Sequence, residues 1–448
     1  MTVLLFTLGV LFVAVGIAAS IALHEVGHLV PAKLFKVRVT QYMIGFGPTV
    51  FSRRRGETEY GLKALPLGGY VSMVGMYPPN PAQDAEGTVR SSSTGMFQQL
   101  ATDARAAAAE QLEPGDEQRL FYNLPIWKRI VIMLGGPFMN LLIGVVLLAV
   151  LLMGFGTSQT TTTLAEVNQC VISGEAAANG QTECTAADAP APAVAAGLLP
   201  GDTITAFDGR EVTSWADLSA RIKETAGRSV SLTYERGGVE TETVITPLLT
   251  ERPVVNDDGT AATDADGRTV TQAVGFIGVG ASTELVRQPA SEVLPTVGQN
   301  LASIAGVVVN LPQRVVDVAQ AAFSSEARDP NGPMSVVGVG RIAGEISSLE
   351  TLSVESRVAT LIGLVGSVNL ALFVFNLIPL LPLDGGHVAG ALWEGLRRRT
   401  ARLFKRPDPG HFDLAKMLPV TYVVGILLLG MGALLIYADI VKPVSLLN

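Results

Sequence analysis

Residues 2–30 read TVLLFTLGVLFVAVGIAASIALHEVGHLV, and this stretch decides the fold. No Asp, Glu, Lys or Arg precedes Glu25. A helix needs about 20 apolar residues to cross a bilayer core, and this run is long enough. Helical from Thr2 to Val30, it would extend about 44 Å at ~1.5 Å per residue, against a hydrocarbon core of ~30 Å. Its end therefore lies near the edge of the core, where water can arrive. That end carries His24-Glu25-Val26-Gly27-His28. Positions four apart lie nearly above each other on a helix, so both imidazoles face one way. This is the spacing of a zinc site, with the glutamate placed to act on water. An ionisable cluster inside a membrane helix is costly and functional by default. The alternatives are histidines merely hydrogen-bonded within a helix bundle, or a cleaved signal peptide. Against the latter, the run lacks a basic leading region and exceeds a usual signal core.

The rest of the composition agrees. Of 448 residues 48% are hydrophobic and only 16% charged, with a mean hydropathy of +0.39. Soluble domains carry about 25% charged residues. The net charge of −8 excludes a nucleic-acid binder held by a basic surface. Two cysteines exclude a cysteine-rich scaffold or a four-cysteine zinc finger. Three further runs are long and apolar enough to span: Ile130 to Ala165, Val358 to Leu383, and Met417 to Ala438. Lys33, Lys36, Arg38, Arg53, Arg54, Arg55 and Lys63 follow the first run, Lys128 and Arg129 precede the second, and Arg397 to Arg406 separate the last two. Such segments face the cytoplasm. Residues 156–352 hold 11 basic and 24 acidic residues, which places them outside, with both termini. Cys170 and Cys184 fall in that outer segment, and a structural disulfide is expected there over two free thiols.

Residues 31–77 read as strands and turns, with Gly45-Phe46-Gly47-Pro48 as a turn. Leu65 to Val71 is an apolar strand that Pro66, Gly68 and Gly69 demote to an edge or a bulged strand. Residues 78–118 form a polar insertion, partly helical around Ala101 to Gln111. The outer segment opens with a Thr- and Ala-rich linker, and residues 194–247 look globular. A helix is expected around Trp215 to Glu224, and strands over Ser229 to Tyr234 and Glu240 to Ile245, joined by Arg236-Gly237-Gly238. That string resembles a PDZ domain, which binds peptides by adding a strand to a sheet edge. Helices at the outer membrane surface are expected over residues 285–352.

Catalytic zinc needs a third protein ligand and an open position. His387 and His411 are not compelling, and Asp384 is the better candidate. It lies in Asn376-Leu377-Ile378-Pro379-Leu380-Leu381-Pro382-Leu383-Asp384-Gly385-Gly386-His387. Two prolines break this helix, which is tolerable where it is buried in protein or lines a wet cavity. The alternative for Asp384 on spacing alone is a helix cap at the interface.

The HExxH motif with the Asn-to-Asp-Gly-Gly string resembles the site-2 protease family of intramembrane zinc metalloproteases. Further matches are Gly45 to Pro48, Pro66 to Tyr70, Gly136-Pro137 with Asn140, Gly275 to Val279 and Gly332 to Ser335. The layout resembles the bacterial regulator of sigma-E protease branch, in its single-PDZ actinobacterial form. The resemblance implies an α-helical integral membrane protein with four transmembrane helices, a small membrane-associated β region and one extracytoplasmic PDZ-like α+β domain. The organisation expected is a first transmembrane helix with HExxH (1–31), the β region (32–77) and a cytoplasmic insertion with an interfacial segment (78–129). The second transmembrane helix (130–156) precedes an extracytoplasmic linker with the PDZ-like domain (157–250) and a strand and helical segment (251–354). The third transmembrane helix (355–396), a basic cytoplasmic loop (397–416) and the fourth (417–441) complete the chain.

The resemblance also implies a metalloendopeptidase with one Zn2+ per chain, held by His24, His28 and Asp384. Glu25 is then the general base, and Asn376 acts near the scissile carbonyl. Pro66, Leu67, Gly68, Gly69 and Tyr70 would bind unwound substrate, or the strand is a plain membrane-surface hairpin. The expected partners are the lipid bilayer and single-pass membrane proteins, such as anti-sigma factors or signal-peptide remnants, already trimmed by an upstream site-1-type protease. The outer domain either excludes bulky substrates or recognises new C-termini. The expected location is the bacterial plasma membrane, with the site near the cytoplasmic side.

Overall fold

The computed structural model describes residues 2–76, 78, 112–113, 115–172, 181, 183–185, 188–254, 262, 270–324, 328–329, 332–349 and 352–444. Most of the expected insertion, including the helix around Ala101 to Gln111, lies outside the described residues. Contacts divide the chain into two units, Met1–Phe155 with Pro289–Asn448, and Gly156–Gln288.

The first unit opens with α1 (Thr2–Leu34), which carries Pro31 within its last turns. Strands β1 (Val39–Arg55) and β2 (Thr58–Met73) follow. Each is folded on itself, so residues 41–44 pair with 59–62 on one side and 69–72 on the other, while 51–55 pair back onto 58–62. The expected turn at Gly45 to Pro48 is instead a bend within β1. Gly45 and Gly47 both take positive φ there, letting the strand kink without leaving the sheet. Among the described residues, 69–73 form an edge of this sheet. Helix α2 (Ile126–Ala149) continues through a π-helical turn, Val150–Phe155. Leu29, Ala32, Val39, Tyr42, Met73, Ile132 and Met133 share one core, which fixes the sheet to α1 and α2.

The second unit begins with β3 (Thr157–Val167), where a linker is expected from the Thr-rich sequence. Threonine is β-branched and suits a half-buried strand. The unit continues through β4 (Thr203–Phe207), α3 (Trp215–Glu224), β5 (Val230–Arg236), β6 (Val239–Ile245), β7 (Leu248–Pro253), β8 (Thr271–Phe276) and β9 (Val279–Val286). The main sheet has the order β9-β3-β4-β5-β6, and β7 pairs with β8. Gly237 and Gly238, both at positive φ, close the β5–β6 hairpin. Ser214 caps α3, which buries Leu218 and Ile222 against Ile204, Phe207 and Leu232. Cys170 and Cys184 are disulfide-bonded.

The first unit then resumes with α4 (Val293–Val309), α5 (Leu311–Phe323), α6 (Val336–Ser348), α7 (Val354–Asn376), α8 (Asp384–Leu403) and α9 (Leu418–Val441). Two boundaries differ from those expected. The third apolar run stops at Asn376, and the expected basic loop is helical as far as Leu403. The prolines end α7, and the polar, arginine-rich face of α8 supports a helix of its own. Among the described residues five helices, not four, are long and apolar enough to cross a membrane: Val3–Leu34, Ile126–Phe155, Ala290–Val309, Val354–Asn376 and Leu414–Val441. Ala290–Val309 is the least apolar of them.

Candidate metal centre

Close backbone approach builds the site. A Cβ on Gly27 would lie 2.2 Å from the Gly135 carbonyl oxygen, and one on Gly135 would lie 2.0 Å from that of Gly27. Glycine alone allows α1 and α2 this contact. The next residue, Gly136, lies beneath the imidazoles, 2.2 Å from Nε2 of His28 to its would-be Cβ. The third segment arrives through Gly385 and Gly386, whose would-be Cβ atoms lie 2.4 Å from the Leu377 and Ile378 oxygens and 2.6 Å from the Leu381 nitrogen. These contacts fold the 377–383 link tightly and set Asp384 at the start of α8.

His24, His28 and Asp384 bring one ligand atom each within 4.8 Å of one another. Nε2 of His24 lies 3.3 Å from Oδ2 of Asp384, and Nε2 of His28 lies 3.4 Å from Oδ1. The two Nε2 atoms are 3.2 Å apart. Nδ1 of His28 donates to the Ile132 carbonyl at 2.8 Å, which leaves a lone pair on Nε2 of the neutral ring. That lone pair faces carboxylate oxygens, and Oδ2 of Asp384 is buried without a hydrogen-bond partner. Either protons on the imidazoles or a cation between the three groups must resolve the contact. The donor set, two imidazoles and a carboxylate, is one that divalent zinc takes in catalytic sites. Burial pushes the Asp384 carboxyl up, but His24 and His28 outweigh it and hold the group well below the usual carboxylate range.

A cavity of about 280 Å3 opens onto this cluster. Glu25 and Asn376 line it with His24, His28 and Asp384. So do Gly69, Tyr70 and Val71 of that sheet edge, and Met73 beyond them. A Cβ on Gly69 would lie 2.9 Å from Cγ of Glu25, so the strand runs directly over the glutamate. Gly68 sits on the same strand against Phe46, and the backbone of Pro66 and Leu67 continues it. The side chains of Pro66 and Leu67 lie outside the described residues. Tyr42 ties β1 to α1 by donating to the Ala22 carbonyl at 2.8 Å. Burial, with Glu25 beside it, pushes the Tyr42 phenol up to about 12, so it stays a neutral donor.

Two residues escape the sequence reading as members of the site. Asn140, on α2, places its amide nitrogen 3.1 Å from Nδ1 of His24, and its Oδ1 is buried without a partner. Rotated by half a turn, the amide would accept from Nδ1–H, the arrangement a cation at Nε2 of His24 requires. A lone asparagine in the uncharged run from Ile130 is the signal that points to it. His387, one turn after Asp384, also lines the cavity.

Comparison with known proteins gives a consistent result. The model of peptidase family M50 matches residues 12–406. The chain is 32% identical over 450 aligned residues to the zinc metalloprotease Rip1 of Mycobacterium tuberculosis, covering 99% of this chain and 100% of that one. It is 26% identical to the zinc metalloprotease RasP of Shouchella clausii, covering 86% and 90%. To the metalloprotease MmpA of Caulobacter vibrioides it is 25% identical, covering 89% of each.

Proposed function

The chain belongs to peptidase family M50, the site-2 proteases, and is a multi-pass membrane zinc metalloendopeptidase; from this we propose that it hydrolyses a peptide bond in or near the transmembrane segment of single-pass membrane proteins. The observation that carries the reading is the meeting of His24, His28 and Asp384 beside Glu25 in one cavity. His24, His28 and Asp384 hold the zinc. Bound zinc supplies Lewis acidity, which lowers the pKa of a water towards neutral and polarises a carbonyl. Glu25 takes the proton of the attacking water and delivers it to the departing amine as the C–N bond breaks. Asn376 donates its amide N–H to the scissile carbonyl oxygen.

A transmembrane helix has its backbone carbonyls already hydrogen-bonded and its peptide bonds shielded by side chains. It must unwind before water can attack. The edge at Gly69 to Met73, unpaired among the described residues, offers backbone donors and acceptors alongside Glu25, and an unwound segment pairs there as an added strand. Pro66 to Tyr70 lead into that edge.

The basic segments face the cytoplasm, and the outer unit and both termini face away from it in a bacterial plasma membrane. Four helices span: α1, α2, α7 and α9. Val293–Val309 lies at the outer surface, consistent with its weaker apolar character. The outer unit is PDZ-like and admits substrates, such as anti-sigma factors or signal-peptide remnants, only after an upstream protease has trimmed them. The test is Glu25→Gln in the full chain. It keeps about one zinc per chain, as three ligands remain, and uncut single-pass remnants accumulate in its membranes. Membranes indistinguishable from those with the wild-type enzyme would refute the reading.

A further inference from the structure

Four histidines occur in the chain, and three have a ring nitrogen engaged. His28 donates to the Ile132 carbonyl, His24 meets Asn140, and His411 meets Arg398. His387 has no hydrogen-bond or ion-pair partner among the described residues, although its Nδ1 is buried. Its position is not incidental. It lies three residues after Asp384 on α8, so both side chains leave the same face of the helix. Its ring borders the cavity that holds Glu25, Asn376 and the three candidate ligands. It does not join the group whose ligand atoms lie within 4.8 Å of one another, so it is not a fourth ligand.

The orphaned Nδ1 assigns the tautomer. A buried N–H without an acceptor is rarer and costlier than a buried lone pair without a donor. The proton therefore belongs on Nε2, which is not among the buried atoms left without a partner. A neutral N–H donor with no protein acceptor, beside a hydrolytic site, is suited to an oxygen that arrives with the substrate. Resting on the reading of the protein as a zinc protease, we propose that His387 is a further catalytic residue, whose Nε2–H donates a hydrogen bond to the scissile carbonyl oxygen as negative charge develops there. No proton is transferred: the donor keeps its hydrogen, and Glu25 alone moves protons. His387 and Asn376 approach from different elements, α8 and the end of α7, so together they fix the carbonyl in direction as well as in charge.

The test uses the full-length enzyme in detergent with a fluorogenic peptide containing one transmembrane segment. His387→Phe keeps the ring volume and removes the donor, whereas His387→Gln restores an N–H at similar reach. The Phe variant is expected to lose kcat by about 10²-fold, the usual cost of one such donor, with KM and zinc content unchanged. The Gln variant recovers to within about tenfold of wild type. Undiminished kcat in the Phe variant overturns the proposal. So does a Gln variant as slow as Phe, or loss of zinc or of the melting transition in both, which would make His387 a support of the fold. Glu25→Gln is the blank: wild-type enzyme no faster than this blank would count against the protease reading rather than against His387.

Discussion

Gly136→Ala tests the convergence of helices at the site with the smallest possible change. A Cβ there would lie 2.2 Å from Nε2 of His28 and 2.7 Å from Nε2 of His24. Ordinary contact begins at 3.4 Å, so the His28 ring must retreat by 3.4 − 2.2 = 1.2 Å. The helices cannot part cheaply to make room, since Gly27 and Gly135 already bring their backbones into contact. The rings are also held from behind, His28 by the Ile132 carbonyl and His24 by Asn140. A metal site tolerates about 0.2 Å of error in a ligand distance, roughly a sixth of this displacement. Zinc affinity should therefore fall by at least ~10²-fold, more than the loss of an outer partner costs. Alanine favours a helix over glycine by about 1 kcal/mol, so helix propensity cannot explain a loss. The assay is zinc per chain in purified protein, with thermal melting and substrate cleavage alongside. Gly425→Ala, where no heavy atom lies within 4 Å of the added carbon, is the matched control and should leave zinc content and cleavage unchanged. Full zinc occupancy and wild-type cleavage in Gly136→Ala would refute the geometry.

Asn140→Leu removes the partner of His24 without touching a proposed ligand; zinc affinity should drop about 10–100-fold, measured by competition with a chelator. Gly69→Ala places a carbon 2.9 Å from Cγ of Glu25, and should slow cleavage while zinc stays bound, because it displaces the proposed base and not the proposed ligands. In the second unit, Asp202 is buried and accepts from both Nε and Nη2 of Arg236 at 2.7 Å and from the Leu199 amide at 2.8 Å. Burial pushes its carboxyl up, but these donors hold it below the usual range. A depressed folded pKa gives stability that is full above the unfolded value, about 4, and is lost as pH falls through the folded one. Asp202→Asn should lower the stability of this unit at neutral pH and flatten its acid limb below about pH 4, read by hydrogen exchange in the full chain.

How far the sequence discloses all this depends on the range over which each signal acts. The histidine pair is legible because a helix turns two positions four apart into neighbours. Helix α3 is legible because Ser214 caps it and its apolar residues repeat at helical spacing. Strand β3 is not, because threonine-rich sequence serves a linker as readily as a strand. Only pairing with β4, 203 − 163 = 40 positions on, and with β9, at least 279 − 167 = 112 positions on, makes it one. The bend at Gly45 reads locally as a turn, since a positive-φ glycine looks the same whether the chain reverses or merely kinks. Asp384 draws notice as a lone acid after a broken helix, but its meeting with His28 across 384 − 28 = 356 positions lies beyond any periodicity. Asn140 and His387 are quieter still, because their significance lies in which nitrogen or oxygen is left without a partner.

The glycines then explain why the site can exist where it does. A metal ion of catalytic type draws its ligands to about 2 Å, so three backbone segments must crowd closer than ordinary side chains permit. At the α1–α2 crossing, Gly27 and Gly135 remove the spacing between helices, and Gly136 clears the space under the rings. At the entry to α8, Gly385 and Gly386 let the helix start against the end of α7, so a carboxylate from the far end of the chain enters at the level of the histidines. Each exemption from side-chain bulk is local, yet none is sufficient alone. Alanine at Gly385 would meet the Leu377 and Ile378 oxygens at 2.4 Å and move Asp384 away from imidazoles that had not themselves moved. Loss of zinc from this variant, with α1 and α2 unchanged, would separate delivery of the carboxylate from preparation of the histidine pair. Zinc retained at wild-type affinity would mean that Asp384 is not the third ligand.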